Sequence, residues 1–172
     1  MENIQRKHEW RDGYKVIEVF GTMSELQQQQ VLELWASAGV VSPQQAQQRI
    51  HQVVCMILDP QVAVCGVSTA YLDKLRQGGY TWYLMRMFIR PKARKTIGLP
   101  ALASRVTRKH LARVSDDTQN GAKGTAVINE NPGLWKKGMH RHYVKAGWNF
   151  QGKRQDGQEI WICPFEGEWA AD

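Results

Sequence analysis

The stretch from residue 88 to 102 combines the features of a phosphate-binding turn. An apolar strand leads into a short basic turn with Arg94 and Lys95, and Gly98 stands just before a helix start at Pro100. Free N–H groups at a helix N-terminus attract phosphate. Glycine lets the backbone approach a ligand closely, and the basic side chains add formal charge. The spacing therefore predicts an anion site at this turn, with an ordinary solvated turn as the simpler alternative.

Basic residues are concentrated around this turn. The chain has 23 Lys and Arg against 16 Asp and Glu, which gives a formal net charge of +7. Between Asp73 and Asp116 the sequence holds 11 of those basic residues and no acidic one. An excess of this kind suits a nucleic acid, a membrane surface or an anionic cofactor. Because no carboxylate within the stretch neutralises it, the distribution favours an anion site.

Other sequence patterns that could carry chemistry are missing. His140 and His142 stand two apart, so on a helix they point to different sides, and no third ligand stands at metal-binding spacing. The three cysteines are odd in number and far apart, which predicts reduced core residues. No serine occupies a Gly-x-Ser-x-Gly turn. The sequence predicts no metal site and no serine nucleophile.

The elements that would position these residues follow from apolar periodicity. The predicted strands are 14–20, 53–58, 62–71, 80–89, 124–129, 148–153 and 159–163. Predicted helices begin after Ser24, at Pro43 and at Pro100, the last running to about Val114, and another covers 134–146. The two serines before the first two helices stand three residues ahead of a glutamine, as capping boxes require. Asp156-Gly157 predicts a type I′ hairpin turn.

This order of elements, β-α-α-β-β-β-α-β-α-β-β, predicts an α/β (α+β) fold. A strand–helix–strand crossover between residues 84 and 128 implies a parallel pair in the middle, and the flanking hairpins add antiparallel strands. We expect a single domain at 14–165, with a mixed, mostly antiparallel sheet and helices on both faces. Residues 1–13 are expected to be a polar leader and 166–172 a C-terminal tail.

Length and composition are typical of a folded soluble protein. The chain has 172 residues, of which 42% are hydrophobic. No apolar run approaches the about 20 residues that span a bilayer, and residues 1–8 lack the apolar stretch of a signal peptide. We expect a cytoplasmic protein with no membrane partner, either a monomer or a homodimer.

Two motifs resemble those of the GNAT acyltransferases. Residues 87–102 read Met-Phe-Ile-Arg-Pro-Lys-Ala-Arg-Lys-Thr-Ile-Gly-Leu-Pro-Ala-Leu, which is similar to the family's acyl-coenzyme A motif of strand, Pro-x-x-Arg, glycine-rich turn and helix. Leu102 stands eight residues after Arg94, as in that motif. Tyr143-Val-Lys-Ala-Gly-Trp148 is similar to the family's later Tyr-x-x-x-Gly-aromatic helix end. With the order of elements, the resemblance covers about residues 14–165.

The resemblance implies a single-domain GNAT-like enzyme that moves an acetyl group from acetyl-CoA to an amine, with no metal. It implies that Tyr143 protonates the leaving thiolate, and that backbone groups of Phe88 and Ile89 pair with the pantetheine arm. The cofactor-binding residues that it implies are Phe88, Ile89, Arg94, Lys95, Thr96, Ile97, Gly98, Leu99 and Asn129. The simpler alternative for Tyr143 is a helix tyrosine that packs on the sheet.

The basic turn departs from the family pattern. The family commonly has two or three glycines after the arginine, whereas Lys95, Thr96 and Ile97 precede Gly98 here. These side chains leave N–H donation intact but narrow the room for a pyrophosphate. The asparagine that the family commonly has seven residues before the tyrosine is replaced by Lys136.

The general base also departs from the family pattern. Family members often use a glutamate on the strand that leads into the turn, but residues 80–90 contain no carboxylate. Glu130, at the end of the next strand, is the candidate base, with His140 and His142 as alternatives. A further alternative is a reaction that relies on water or on an already neutral amine.

Two other functions remain open at this point. The basic and aromatic side chains between residues 135 and 148 could contact a nucleic acid, so the acceptor could be a DNA base or a tRNA. The missing glycines and the missing strand carboxylate are also compatible with a GNAT-like binding module that has no activity.

Overall fold

The computed structural model describes residues 8–130 and 137–165. Its strands are β1 (His8–Arg11), β2 (Tyr14–Glu18), β3 (Val53–Leu58), β4 (Val64–Lys74), β5 (Thr81–Ile89), β6 (Gly124–Asn129), β7 (Asn149–Lys153) and β8 (Glu159–Pro164). Its helices are α1 (Glu25–Ala38), α2 (Pro43–Arg49), α3 (Pro91–Arg94), α4 (Leu99–Thr118) and α5 (Lys137–Lys145), with a 3₁₀ turn at Ile50–Gln52. Residues 1–7, the start of the predicted helix 134–146 with Lys136, and the predicted tail 166–172 lie outside the described residues.

The strands form one sheet in the order β1-β2-β3-β4-β5-β6-β8-β7. β5 and β6 run parallel, with Tyr83 opposite Thr125 and Leu84 opposite Ala126. The described pairings β1–β2, β2–β3, β3–β4, β6–β8 and β7–β8 are antiparallel. This confirms the predicted mixed, mostly antiparallel sheet with a central parallel pair.

The chain divides into two compact units, and the first contains residues 8–70 and 86–110. Both of its longer N-terminal helices start at the predicted capping boxes, Ser24 with Gln27 and Ser42 with Gln45. Gly39 ends α1 in the left-handed conformation, as predicted. The core of this unit is built from aliphatic residues of α1, α2 and β2–β4 around Trp35, which is 3% exposed.

The second unit contains residues 71–85, 111–130 and 137–165. Its core is smaller and holds Trp82, Leu84, Ala126 and Ile162 on β5, β6 and β8. The continuous apolar character of β5 fits these positions, since a central strand is covered on both faces.

The N-terminal segment differs from the prediction. Residues 8–11, expected to be part of an unstructured leader, form β1 and pair with β2. The hairpin turn is Asp12-Gly13, and both residues have positive φ, 47° and 82°. An Asp-Gly pair between two short strands is a strong hairpin signal, so the turn residues themselves predict this strand.

The turn between β7 and β8 also differs from the prediction. Gly157 has φ 84°, but Asp156 is not in the left-handed region, so the turn is not type I′. The N–H of Gly157 is donated to the carbonyl of Arg154 at 2.9 Å, and the N–H of Arg154 to the carbonyl of Gln158 at 2.8 Å. This is a longer hairpin loop in which a turn is followed by a left-handed glycine.

Two further boundaries were not predicted. The segment after β5, expected to be a short basic loop, contains the short helix α3, and α4 extends to Thr118 instead of about Val114.

Cys55, Cys65 and Cys163 are buried and free, which confirms the prediction for the cysteines. Within the described residues, no helix is long and apolar enough to cross a membrane.

Candidate functional site

The basic turn (residues 90–99) is a sequence of tight turns in the first unit. Within it the N–H groups of Arg94, Thr96 and Leu99 are donated to backbone carbonyls of the same turn, at 2.9, 2.9 and 3.1 Å. Ile97 and Gly98, by contrast, donate to no backbone carbonyl of the described chain. Two adjacent N–H groups just before a 20-residue helix are therefore available to an anion.

Gly98 is required by the shape of this turn. Its φ is +77°, a conformation that costs other residues free energy, and a Cβ at this position would overlap the guanidinium group of Arg11. Arg11 lies at the end of β1, is exposed, and forms no ion pair with any described residue. The structure therefore places a further cation against Gly98 of the basic turn, from a segment that was expected to be a leader.

The predicted cofactor-binding residues of this turn divide by exposure. Arg94 and Lys95 are exposed, and Ile97 is 86% exposed. Leu99 has no exposed surface, so its side chain anchors the start of α4 in the core. Burial of a leucine stabilises a fold by about 1.5–3 kcal/mol, and because its N–H is already donated to Thr96, Leu99 presents no exposed group to a ligand.

At the end of β5, one edge of the strand faces β4. The N–H of Arg90 is donated to the carbonyl of Cys65 at 2.8 Å, and a Cβ added to Gly66 would lie 2.9 Å from the carbonyl oxygen of Phe88. Because backbone groups alternate along a strand, Ile89 directs its N–H and C=O to the opposite edge. Of the two residues predicted to pair with pantetheine, Ile89 has the suitable backbone direction.

The charge of the basic stretch is partly neutralised from β1. Arg105 Nη2 lies 2.7 Å from a carboxylate oxygen of Glu9, and Lys109 Nζ lies 3.6 Å from the other. Burial alone would raise the pKa of Glu9, but the hydrogen bond and charge of Arg105, together with Lys109, hold it below its ordinary value. No carboxylate lies between Asp73 and Asp116 in the sequence, but in the folded chain Glu9 of β1 neutralises part of the positive charge of this stretch.

A second group of chemical side chains lies in the second unit. We call it the Tyr143 cluster: Asn129, His140, Tyr143, Glu159 and Trp161. The Tyr143 hydroxyl is donated to Oδ1 of Asn129 at 3.4 Å, and its ring stacks on Trp161 with a centroid separation of 4.9 Å and an interplanar angle of 22°. The predicted helix tyrosine thus packs on the sheet and also directs its hydroxyl to a polar partner.

Glu159 is the buried charge of this cluster. Its side chain has no exposed surface, and Nε2 of His140 lies 2.9 Å and 3.1 Å from its two carboxylate oxygens. Trp161 donates its Nε1–H to the same carboxylate at 3.0 Å. Burial of a carboxylate without partners costs free energy, and the hydrogen bonds with His140 and Trp161 offset that cost.

The cluster is assembled by strand register. Asn129 of β6 lies directly opposite Glu159 of β8, so the acceptors that hold Tyr143 and His140 are neighbours across the ladder. His140 and Tyr143 stand three residues apart on α5 and therefore lie on one face of that helix.

The surroundings of Tyr143 favour its protonated form. Removal from solvent raises the pKa of its hydroxyl, the hydrogen bond with Asn129 opposes this, and the charge of Glu159 raises the pKa further. The net shift is upward, so the phenol is protonated at neutral pH and is suited to donate a proton.

The remaining candidates lie outside this cluster. Glu130, the predicted base, follows β6 directly, is exposed, and forms no hydrogen bond or ion pair with any described residue. His142 is exposed, whereas the side chain of His140 is 33% exposed. Across residues 8–130 and 137–165, no group of three or more His, Cys, Asp or Glu side chains could hold a metal ion.

Comparison with known proteins identifies the fold. No family model and no curated protein matches the chain. Among solved structures, a protein described as a GnaT-family acetyltransferase from Bordetella pertussis matches with a TM-score of 0.55 and 13% identity, over 91% of this chain and 98% of that one. The ribosomal-protein-S5-alanine acetyltransferase from Vibrio fischeri matches with a TM-score of 0.58 and 9% identity, over 91% and 94%.

A third match was solved with a ligand. It is a toxin, AtaT, bound to acetyl-CoA and to the C-terminus of the antitoxin AtaR, with a TM-score of 0.50 and 13% identity over 88% of this chain and 94% of that one. The chain therefore has the GNAT fold, in agreement with the two motifs in its sequence. At identities of 9 to 13% the likeness extends to the fold alone.

Sequence reasoning missed Glu159, Trp161 and Arg11. Alternation along β8 places Glu159 on the same face as Trp161, and a glutamate at a buried position of a strand signals a specific partner. Arg11 precedes the Asp-Gly hairpin turn described above, but nothing in the sequence connects it to Gly98, 87 residues later.

Proposed function

We propose that this chain is an N-acyltransferase that moves an acetyl group from acetyl-CoA to an amine acceptor. The observation that carries the proposal is Tyr143. On a GNAT fold, a tyrosine that precedes Gly147 by four residues is half-buried, protonated at neutral pH, and hydrogen bonded to Asn129 at the end of β6. A solvated surface tyrosine would also be protonated at neutral pH, but it would be neither half-buried nor hydrogen bonded to a side chain of the sheet.

The phosphates of acetyl-CoA are assigned to the basic turn. The N–H groups of Ile97 and Gly98 suit a pyrophosphate oxygen, and the exposed Arg94 and Lys95 supply the charge. Thr96 contributes a hydroxyl donor at the same turn, whereas Leu99 is fully buried and anchors the start of α4. The pantetheine arm would pair with the backbone of Ile89 as an added strand does, with Phe88 supplying apolar surface.

The acyl transfer itself is assigned to the second unit. The amine attacks the thioester carbonyl, and the carbon–sulfur bond breaks as the thiolate leaves. Tyr143 donates its hydroxyl proton to the thiolate sulfur, and Asn129 orients the phenol. Glu130 is exposed and has no hydrogen-bond or ion-pair partner among the described residues, so no contact within them orients it as a base.

Calorimetry with acetyl-CoA is the first test. The proposal predicts binding of acetyl-CoA to the full chain, and an absence of binding at millimolar acetyl-CoA contradicts it. A binding module without activity would also bind acetyl-CoA, so binding has to be followed by turnover.

Tyr143→Phe is the test of turnover. With polyamines, amino sugars, peptide N-termini and aminoacyl-tRNA as acceptors, we expect thiol release by the wild-type chain to fall about 10²-fold in the variant, since proton donation is lost. The dissociation constant for acetyl-CoA should stay within about twofold, because the phenol does not contact the phosphates. Tyr80→Phe, at a tyrosine that is 43% exposed, is the matched control. Equal turnover in the two variants removes Tyr143 from the reaction.

A further inference from the structure

The described structure contains one buried carboxylate that the proposed reaction has not used. Glu159 has no exposed surface, and it is held by a histidine and an indole instead of by Lys or Arg. An aliphatic residue would fill a strand position in this core at a lower desolvation cost. Core packing alone therefore does not explain why a glutamate paired with His140 occupies this position.

The carboxylate determines which nitrogen of His140 is basic. An ionised carboxylate only accepts hydrogen bonds, so its pairing with Nε2 of His140, at 2.9 and 3.1 Å from its oxygens, assigns a ring proton to Nε2. In the neutral ring the lone pair is then on Nδ1. This is how a carboxylate fixes the tautomer of a histidine base in hydrolytic triads, with the two ring nitrogens exchanged.

Aromatic rings fix the orientation of the imidazole. Phe150 stacks on it with a centroid separation of 5.9 Å and an angle of 29°, and Trp161 contacts it edge-on at 5.0 Å and 73°. The side chain is 33% exposed, so part of the ring is open to solvent and to a reactant. A base needs both properties, a fixed ring and an accessible lone pair.

The same indole contacts the candidate proton donor. Trp161 stacks on Tyr143 at 4.9 Å and contacts His140 at 5.0 Å, so a proton donor and a proton acceptor lie on one helix face around one ring. Glu130, by comparison, lacks an orienting partner in the described chain.

We propose that His140 is the general base of the acyl transfer and that Glu159 is its positioning residue; this rests on the proposed function. Nδ1 of His140 takes the proton of the attacking amine as the new carbon–nitrogen bond forms. The carbon–sulfur bond breaks, and the sulfur takes the proton of Tyr143. The imidazolium then loses its proton to solvent and the phenolate regains one, so the protein returns to its starting state. Glu159 stabilises the transient imidazolium.

The first part of the test is spectroscopic and needs no acceptor. Nitrogen-15 NMR of the histidine rings in the full chain should show His140 protonated on Nε2 and not on Nδ1 when neutral. Glu159→Gln should give a mixture of the two tautomers, because an amide can donate as well as accept. His142, exposed on the same helix, should give the same spectrum in both proteins. A neutral His140 protonated on Nδ1 in the wild type overturns the positioning role.

The second part tests proximity to the reaction. Diethyl pyrocarbonate modifies neutral imidazole, and mass spectrometry of peptides gives the rate at each histidine. Saturating acetyl-CoA should slow modification of His140 at least about fivefold and leave His142 and His51 unchanged. If calorimetry shows that acetyl-CoA binds but His140 is not protected, the base assignment is wrong and the proposed function stands. If acetyl-CoA does not bind, the proposed function itself is wrong, and the base assignment with it.

Discussion

The basic turn and the Tyr143 cluster differ in how far their chemical groups are exposed to solvent. The basic turn presents backbone N–H groups and exposed charged side chains, and its most exposed residue, Ile97, is 86% exposed. The Tyr143 cluster is packed around Trp161, which is 1% exposed, and encloses a carboxylate with no exposed surface. Binding of a charged ligand needs donors that solvent can also reach, whereas proton transfer needs groups whose tautomers and pKa values are fixed by their surroundings.

The largest expected effect is on the free energy of unfolding, which should depend much more on the Tyr143 cluster than on the basic turn. Trp161→Ala should lower the free energy of unfolding by about 3–5 kcal/mol, because it opens a cavity and exposes Glu159 and the rings that pack on the indole. Ile97→Ala should change it by less than about 0.5 kcal/mol, because an exposed side chain loses little. Urea unfolding followed by fluorescence measures both; a comparable loss for Ile97→Ala would remove the contrast.

Gly98→Ala tests how closely the basic turn is packed. We expect a loss of about 1–2 kcal/mol, since alanine at a φ of +77° is strained. Gly121→Ala is a matched control, because Gly121 has φ +76° and nothing within 4 Å of an added Cβ. Any excess loss at Gly98 measures the contact with Arg11, and it should vanish in an Arg11→Ala background. Equal losses at the two glycines would show that Arg11 moves away without cost.

Arg94→Ala should weaken acetyl-CoA binding without affecting stability. Loss of one charge-assisted contact to phosphate corresponds to about a tenfold rise in the dissociation constant. Lys92→Ala is the control, since Lys92 is also an exposed cation of α3 but occupies a variable position of the Pro-x-x-Arg motif. Isothermal calorimetry measures both variants, and an unchanged affinity for Arg94→Ala would place the phosphates elsewhere.

The smallest expected effect is a pH dependence of the second unit. Burial raises the pKa of Tyr143 and of Tyr83, each hydroxyl also being bonded to an asparagine that opposes the shift. The unfolded chain therefore loses these protons first, and stability should fall as the pH rises above about 10. Tyr143→Phe should make that fall shallower between pH 9 and 11, as read from urea midpoints. An unchanged slope would mean that the Tyr143 hydroxyl is as well solvated as in the unfolded chain.

Local signals predicted most of the fold. Capping boxes at Ser24 and Ser42, the left-handed Gly39 and the apolar periodicity of β3–β6 each depend on residues a few positions apart, and each was confirmed. The errors arose where a local signal was misjudged. Asp12-Gly13 makes the two-residue turn that was expected of Asp156-Gly157, because two positive φ values are adopted only at the former.

The candidate site was less predictable because its partners are distant in sequence. The motifs located Tyr143 and the basic turn, and these positions stay predictions as ligand contacts. His140 was one of three candidate bases until the structure joined it to Glu159, 19 residues away.

The sequence by itself therefore determined the order of the longer elements from β2 onward, the sheet class and the two motif positions, since these follow from periodicity, caps and turn residues. Only the tertiary structure decided that β1 adds Arg11 to the basic turn and Glu9 to the basic stretch. It also decided that Asn129 and Glu159 face each other across a ladder beneath Tyr143 and His140. Strand register and helix packing bring these residues together, and they depend on the whole core instead of any short segment.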